Sequence, residues 1–138
     1  MSDEVETRHD ESPKILIVDD DKFLIDIYST KFSEQGFEVM SAFSGEEALQ
    51  KIEQGFKPEL CLVDVIMPAM DGFEVVRRMR ENNSLAQTSL IILSNLGQKE
   101  DIEKGLKSGA DGYLVKANAT PSEVVEKVRS IITNNQNT

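Results

Sequence analysis

Ile15-Leu16-Ile17-Val18-Asp19-Asp20-Asp21 decides the fold. Four aliphatic residues in a row fit a strand buried on both faces, and the acids that follow stop it. The pattern returns at Leu60-Cys61-Leu62-Val63, which runs into Asp64. Two later runs end in other polar groups: Ile91-Ile92-Leu93 in Ser94, and Tyr113-Leu114-Val115 in Lys116. In an open α/β sheet, functional groups gather in the crevice outside the carboxyl ends of the strands. Three carboxylates, a hydroxyl and an amine, remote in sequence, are therefore expected at one edge.

Outward from these runs, apolar segments alternate with helical patterns. Strands are expected near 14–18, 37–42, 59–63, 89–93 and 112–115. The second alternates (Phe37, Val39, Ala42) and suits a sheet edge. A first helix over 21–35 pairs Phe23 with Ile27, Leu24 with Tyr28 and Tyr28 with Phe32, and stops at Gly36. A second opens on Ser44-Gly45-Glu46-Glu47, read as a capping box, and ends at Gly55. A third, over 72–82, turns Phe73, Val76 and Met79 inward and leaves Arg77, Arg78 and Arg80 in solvent. The fourth, over 98–108, is the weakest, anchored only by Ile102 and Leu106, with Gly105 costing about 1 kcal/mol against Ala. The fifth opens on Thr120-Pro121-Ser122-Glu123, another capping box, and faces the sheet with Val124, Val125, Val128, Ile131 and Ile132. Alternating βα units imply a parallel sheet with right-handed crossovers and helices on both faces. Five strands suit the doubly wound order 2-1-3-4-5, whose switch point falls between the two strands that end in acids.

The 138 residues correspond to one domain, and 39% hydrophobic content supports a core. A net charge of −10 opposes binding to nucleic acid or an anionic membrane. Asp3, Glu4, Glu6, Asp10 and Glu11 against Arg8 mark residues 1–12 as a disordered acidic leader; 134–138 reads as a polar tail with no second domain behind it. The one cysteine, Cys61, excludes an internal disulfide and fits a reducing compartment as a small buried hydrophobe. His9, the one histidine, lies in the leader, which removes histidine triads and histidine zinc sites. No stretch is long enough to span a bilayer and no secretion signal is present, so a cytoplasmic location is expected.

One acid of Asp19-Asp20-Asp21, Asp21, is explained as a helix cap. The others repel one another and Asp64 unless a hard divalent cation such as Mg²⁺ offsets the repulsion. Beside such an ion Asp64 can attack phosphorus, as carboxylates do in aspartyl-phosphate chemistry. Phosphoryl transfer requires mainly positioning and charge neutralisation, which Lys116 and the Ser94 hydroxyl can supply.

At these residues the chain resembles the receiver domains of two-component response regulators. The matching segments are Ile15-Leu16-Ile17-Val18-Asp19-Asp20, Leu62-Val63-Asp64-Val65-Ile66-Met67-Pro68-Ala69-Met70-Asp71-Gly72, Ile92-Leu93-Ser94, and Gly109-Ala110-Asp111-Gly112-Tyr113-Leu114-Val115-Lys116. The resemblance covers residues 13–133 and implies a flavodoxin-like (βα)5 three-layer sandwich. It implies Asp64 as phosphoacceptor, and Mg²⁺ (or Mn²⁺) held by Asp19, Asp20, Asp64 and the backbone carbonyl of Ile66. Ser94 and Lys116 then stabilise the phosphoryl group, and Ser94 and Tyr113 form the switch. A histidine kinase or histidine phosphotransfer protein is the implied donor. A changed face of helix four, strand five and helix five is the implied output, read by another protein. The domain is then no enzyme beyond assisting its own phosphorylation and dephosphorylation.

The chain departs from the family's usual pattern in two places. Ala117 stands where Pro is usual, which puts the loop after Lys116 in question, since a cis bond before Ala costs about 3 kcal/mol. Asn95 replaces a very small residue. Ile66 and Leu96, two positions beyond Asp64 and Ser94, are both bulky and apolar where side chains tune hydrolysis, which implies a long-lived aspartyl phosphate. A phosphatase of the haloacid dehalogenase type also starts from Asp-x-Asp, but Phe23 stands where its motif takes Thr or Val. A flavin carrier wants a Ser/Thr/Gly loop where the acids lie. The remaining alternative is a degenerate receiver acting as a phosphorylation-independent binding module.

Overall fold

The computed structural model describes residues 12–136; the acidic leader through residue 11, His9 included, lies outside them. Five strands form one parallel sheet: β1 (Lys14–Val18), β2 (Glu38–Ala42), β3 (Leu60–Val63), β4 (Ser89–Ser94) and β5 (Gly112–Val115). Their order is β2-β1-β3-β4-β5, with all four pairings parallel. Five helices connect and follow them: α1 (Lys22–Glu34), α2 (Gly45–Glu53), α3 (Gly72–Arg80), α4 (Lys99–Ser108) and α5 (Pro121–Gln136). The last helix continues through Gln136, past the start of the expected tail.

Side-chain alternation divides the core between the two faces of the sheet. Leu16, Val18, Cys61, Val63, Leu90 and Ile92 point to one side, against Ala48 and Ile52 of α2 and Phe73, Val76 and Met79 of α3. Ile15, Ile17, Leu60, Leu62, Ile91 and Leu93 point to the other, against Ile25, Tyr28 and Phe32 of α1 and Val124, Val125, Val128 and Ile132 of α5. Each fully buried side chain of this size contributes about 1.5–3 kcal/mol. Burial pushes the Cys61 thiol up to about 12, which keeps it an inert core group.

Several local expectations need correction. Phe23 is 73% exposed and Leu106 48%, so neither anchors its helix; Ile25, Tyr28 and Phe32 form the buried stripe of α1. Helix α4 nonetheless forms, with the Asp101 carboxylate accepting from the Gln98 N–H at its start and Gly105 buried rather than idle. At α2 the Ser44 hydroxyl accepts from the Glu47 N–H as expected. Glu47, however, reaches back to the Phe43 N–H instead of closing the box on Ser44. The α5 box closes in both directions between Thr120 and Glu123. Arg80 is no solvated bystander. Its guanidinium contacts the Gly109 carbonyl at 3.1 Å and Asp111 Oδ2 at 2.9 Å. Asp111 in turn accepts from the Leu90 N–H, so α3 is tied to the entrances of β4 and β5.

Candidate functional site: an acid cluster at the carboxyl edge of the sheet

The parallel register pairs Val18 with Val63, which brings the next residues, Asp19 and Asp64, to neighbouring strand ends. The Asp64 N–H donates to the Val18 carbonyl at 2.9 Å and the Asp19 N–H to Ala42 at 3.1 Å, so both leave the sheet with their backbones still paired. Asp21 caps α1, accepting from the Phe23 and Leu24 N–H groups. That frees the two preceding acids for the crevice. Oxygens of Asp19, Asp20 and Asp64 lie within 4.8 Å of one another. Asp19 and Asp64 are buried, whereas Asp20 faces solvent.

Lys116 arrives from the end of β5 and spans the crevice. Its Nζ lies 3.1 Å from Asp19 Oδ2 and 3.5 Å from Asp64 Oδ1. One amine against three acids leaves the cluster with surplus negative charge. Burial, joined by repulsion from Asp19, pushes the Asp64 carboxyl up to about 6 despite Lys116 and a hydrogen bond from the Val65 backbone. Burial alone would pull the Lys116 amine down, but the Asp64 and Asp19 charges outweigh it and hold the amine above its usual value. Close carboxylates carrying excess charge are a donor set suited to a hard divalent ion, which prefers oxygen ligands. The Lys116–Ala117 peptide is trans, and Lys116–Asn118 form a short 3₁₀ turn. Alanine at this position therefore leaves the lysine aimed at the acids.

The loop from Val65 to Asp71 holds Asp64 from outside. Gly72 donates to the Val65 carbonyl at 2.9 Å, and a Cβ on Gly72 would stand 2.1 Å from the Asp64 backbone oxygen. Only glycine lets the start of α3 close this tightly on the acid. Asp71 caps that helix by accepting from the Glu74 N–H. Ala69 takes a left-handed φ of 69°, a conformation that costs a non-glycine residue about 1–2 kcal/mol. The Asp71-x-x-Glu74 spacing carries a signal for this cap that the helix boundary expected above did not use; nothing local signals the turn at Ala69.

Ser94 is fully buried at the end of β4; its hydroxyl accepts from the Leu96 N–H at 3.2 Å. The Tyr113 hydroxyl donates to the Leu96 carbonyl at 2.6 Å. Burial raises the Tyr113 phenol, partly offset by a hydrogen bond with Ser94. Leu96 packs on the core, Asn95 faces solvent, and Ile66 is 61% exposed. The expected residues thus fall into two groups, acids with Lys116 and hydroxyls with Leu96.

A family model described as the response regulator receiver domain matches residues 15–129. The chain belongs to this family. Among curated relatives, the receiver is 34% identical over 120 residues to the DNA-binding dual master transcriptional regulator RpaA of a Synechocystis strain, covering 87% of this chain and 49% of that protein. It spans about half the length of the curated relatives it matches. Among solved structures, the receiver domain of the Francisella response regulator 1452 is 36% identical, with a TM-score of 0.80 and coverage of 89% of this chain and 98% of that one. A CheY-like receiver domain protein from Methanospirillum hungatei is 28% identical, with a TM-score of 0.83 and coverage of 92% and 98%. The protein is therefore a receiver domain of the kind used in two-component phosphorylation signalling. Among its described residues no helix is long and apolar enough to cross a membrane.

Proposed function

We propose that Asp64 accepts a phosphoryl group from a phosphohistidine on a histidine kinase or histidine phosphotransfer protein. The observation that carries this reading is the buried Asp64 carboxylate, with Asp19 and Asp20 beside it and Lys116 within 3.5 Å. A carboxylate oxygen of Asp64 attacks phosphorus, the P–N bond to the donor imidazole breaks, and the imidazole leaves with the bonding pair. Asp19, Asp20, Asp64 and the Ile66 carbonyl would hold Mg²⁺ (Mn²⁺ also fits an all-oxygen set). When bound, the ion neutralises charge on the transferring oxygens. Lys116 pairs with another of those oxygens, and the Ser94 hydroxyl turns from the Leu96 N–H to donate to a third.

The Tyr113 and Ser94 hydroxyls both bond to Leu96, which supports a readout through α4 and β5 to a partner protein. Exposed Phe23, Phe43 and Ile66 follow the ends of β1, β2 and β3, and offer a donor protein an apolar rim around the acids. Ile66 and Leu96 flank the phosphoryl position and slow its hydrolysis.

Incubation with acetyl phosphate and Mg²⁺ tests the reading. The intact mass should rise by one phosphoryl unit, and Asp64→Asn should abolish the rise. A wild-type mass that stays put would instead favour a phosphorylation-independent binding module.

A further inference from the structure

Tyr113 sits on the edge strand with its ring against α4, and the helix residue it meets is Gly105. A Cβ placed there would stand 2.8 Å from Tyr113 Cδ2, 3.0 Å from its Cε2 and 2.9 Å from Ile92 Cδ1. The ring therefore occupies volume that any side chain at position 105 would need. Nothing else calls for glycine here. The residue lies inside the helix, away from the glycines with positive φ, and glycine is a poorer helix former than alanine. It is nevertheless the buried position of α4. What it supplies is space, and from that space the Tyr113 hydroxyl reaches the Leu96 carbonyl at 2.6 Å. The Leu96 N–H is already engaged by Ser94. A continuous line of contacts thus runs from the Ser94 hydroxyl through Leu96 and the Tyr113 ring into α4.

We propose that Gly105 is a socket for the Tyr113 ring, and so a positioning residue that makes the inward ring compatible with α4 and couples that helix to Ser94. Of the two groups a new Cβ would meet, Ile92 Cδ1 is the far end of a flexible chain and can shift. The tyrosine ring is rigid and must shift as a whole. The socket stands on packing; any movement of the ring on phosphorylation would rest on the phosphoacceptor role proposed for Asp64.

Thermal melting of the full chain tests it, for wild type, Gly105→Ala, Tyr113→Ala and the double variant. In the wild-type background Gly105→Ala should lower the midpoint. In the Tyr113→Ala background the same substitution should raise it by about 3 °C, because the ring is gone and only the better helix former remains. The Ser94 and Leu96 amide resonances of Gly105→Ala should also move toward those of Tyr113→Ala, which a merely local helix defect would not produce. Equal midpoint shifts in both backgrounds, or failure to fold in both, would overturn the socket. Phosphorylation of wild-type Asp64, followed separately by intact mass, reports on the phosphoacceptor reading: its absence would sink that reading and leave the coupling between Gly105 and Tyr113 untouched.

Discussion

The two halves of the carboxyl edge are built on opposite principles. Around β1 and β3, Asp19, Asp20 and Asp64 are held within 4.8 Å of one another, with Lys116 as counter-charge. That half is electrostatically overloaded: Asp64 is pushed up to about 6, first by burial and then by Asp19. Around β4 and β5 the polar groups are satisfied. Ser94 and Tyr113 both bond to Leu96, and the ring fills the space over Gly105. One half stores unfavourable charge that a cation can relieve. The other half is a packed arrangement that moves only if its hydrogen bonds are exchanged. On the function proposed above, the first half takes up the phosphoryl group and the second converts that event into shape.

Removing the counter-charge should break this contrast most forcefully. Lys116→Met leaves Asp19 and Asp64 buried together without an amine and should destabilise the ion-free protein by about 3 kcal/mol at neutral pH. Denaturant melts at several pH values check it. The loss should shrink as the pH falls toward 6, because Asp64 without the amine takes up its proton at a higher pH than in the wild type. An unchanged melting curve at pH 7.5 would show that the acids are not overloaded.

The cation itself should have the next largest effect. The folded Asp64 value lies above its unfolded one, so between about pH 4 and 6 the folded state holds the extra proton. Stability of the ion-free protein therefore falls as the pH rises across that window. Mg²⁺ at about ten times its dissociation constant should add about 1.4 kcal/mol at pH 7.5. At pH 5 the gain should be much smaller, because the ion then competes with a proton on Asp64. An equal gain at both values, read by calorimetry, would place the ion away from Asp64.

The smallest effect should fall at the border between the halves. Ile66 is exposed where Leu96 is packed, so Ile66 can be exchanged without disturbing the core. Ile66→Asn should speed loss of the phosphoryl group several-fold, about 1 kcal/mol in barrier, with no change in melting temperature. The decay of the phosphorylated mass after donor removal measures it. Identical decay would remove Ile66 from the control of hydrolysis.

Much of this was legible in the chain. The aliphatic runs at 15–18, 60–63 and 91–93 specify strands because only a doubly covered sheet buries every residue of such a run. The β2-β1-β3-β4-β5 order then brings Asp19 and Asp64 together. Caps such as Ser44 and Thr120 were equally plain, because capping uses residues three apart. The exposure of Phe23 and Leu106 was not, since apolar identity does not say which way a helix face turns. Nor was the role of Arg80, whose partners Gly109 and Asp111 lie about thirty residues away.

What the residue order determined is the strand and helix program, the sheet type and the identity of the acids at its edge, because those follow from periodicity and from the stops that interrupt it. What only the tertiary structure decided is how closely groups approach: the reach of Lys116 across two strands, the closure of Gly72 onto Asp64, and the fit of the Tyr113 ring over Gly105. These are distances of a few ångströms between segments far apart in sequence. They are set by the packing of whole elements against one another, which no local pattern encodes.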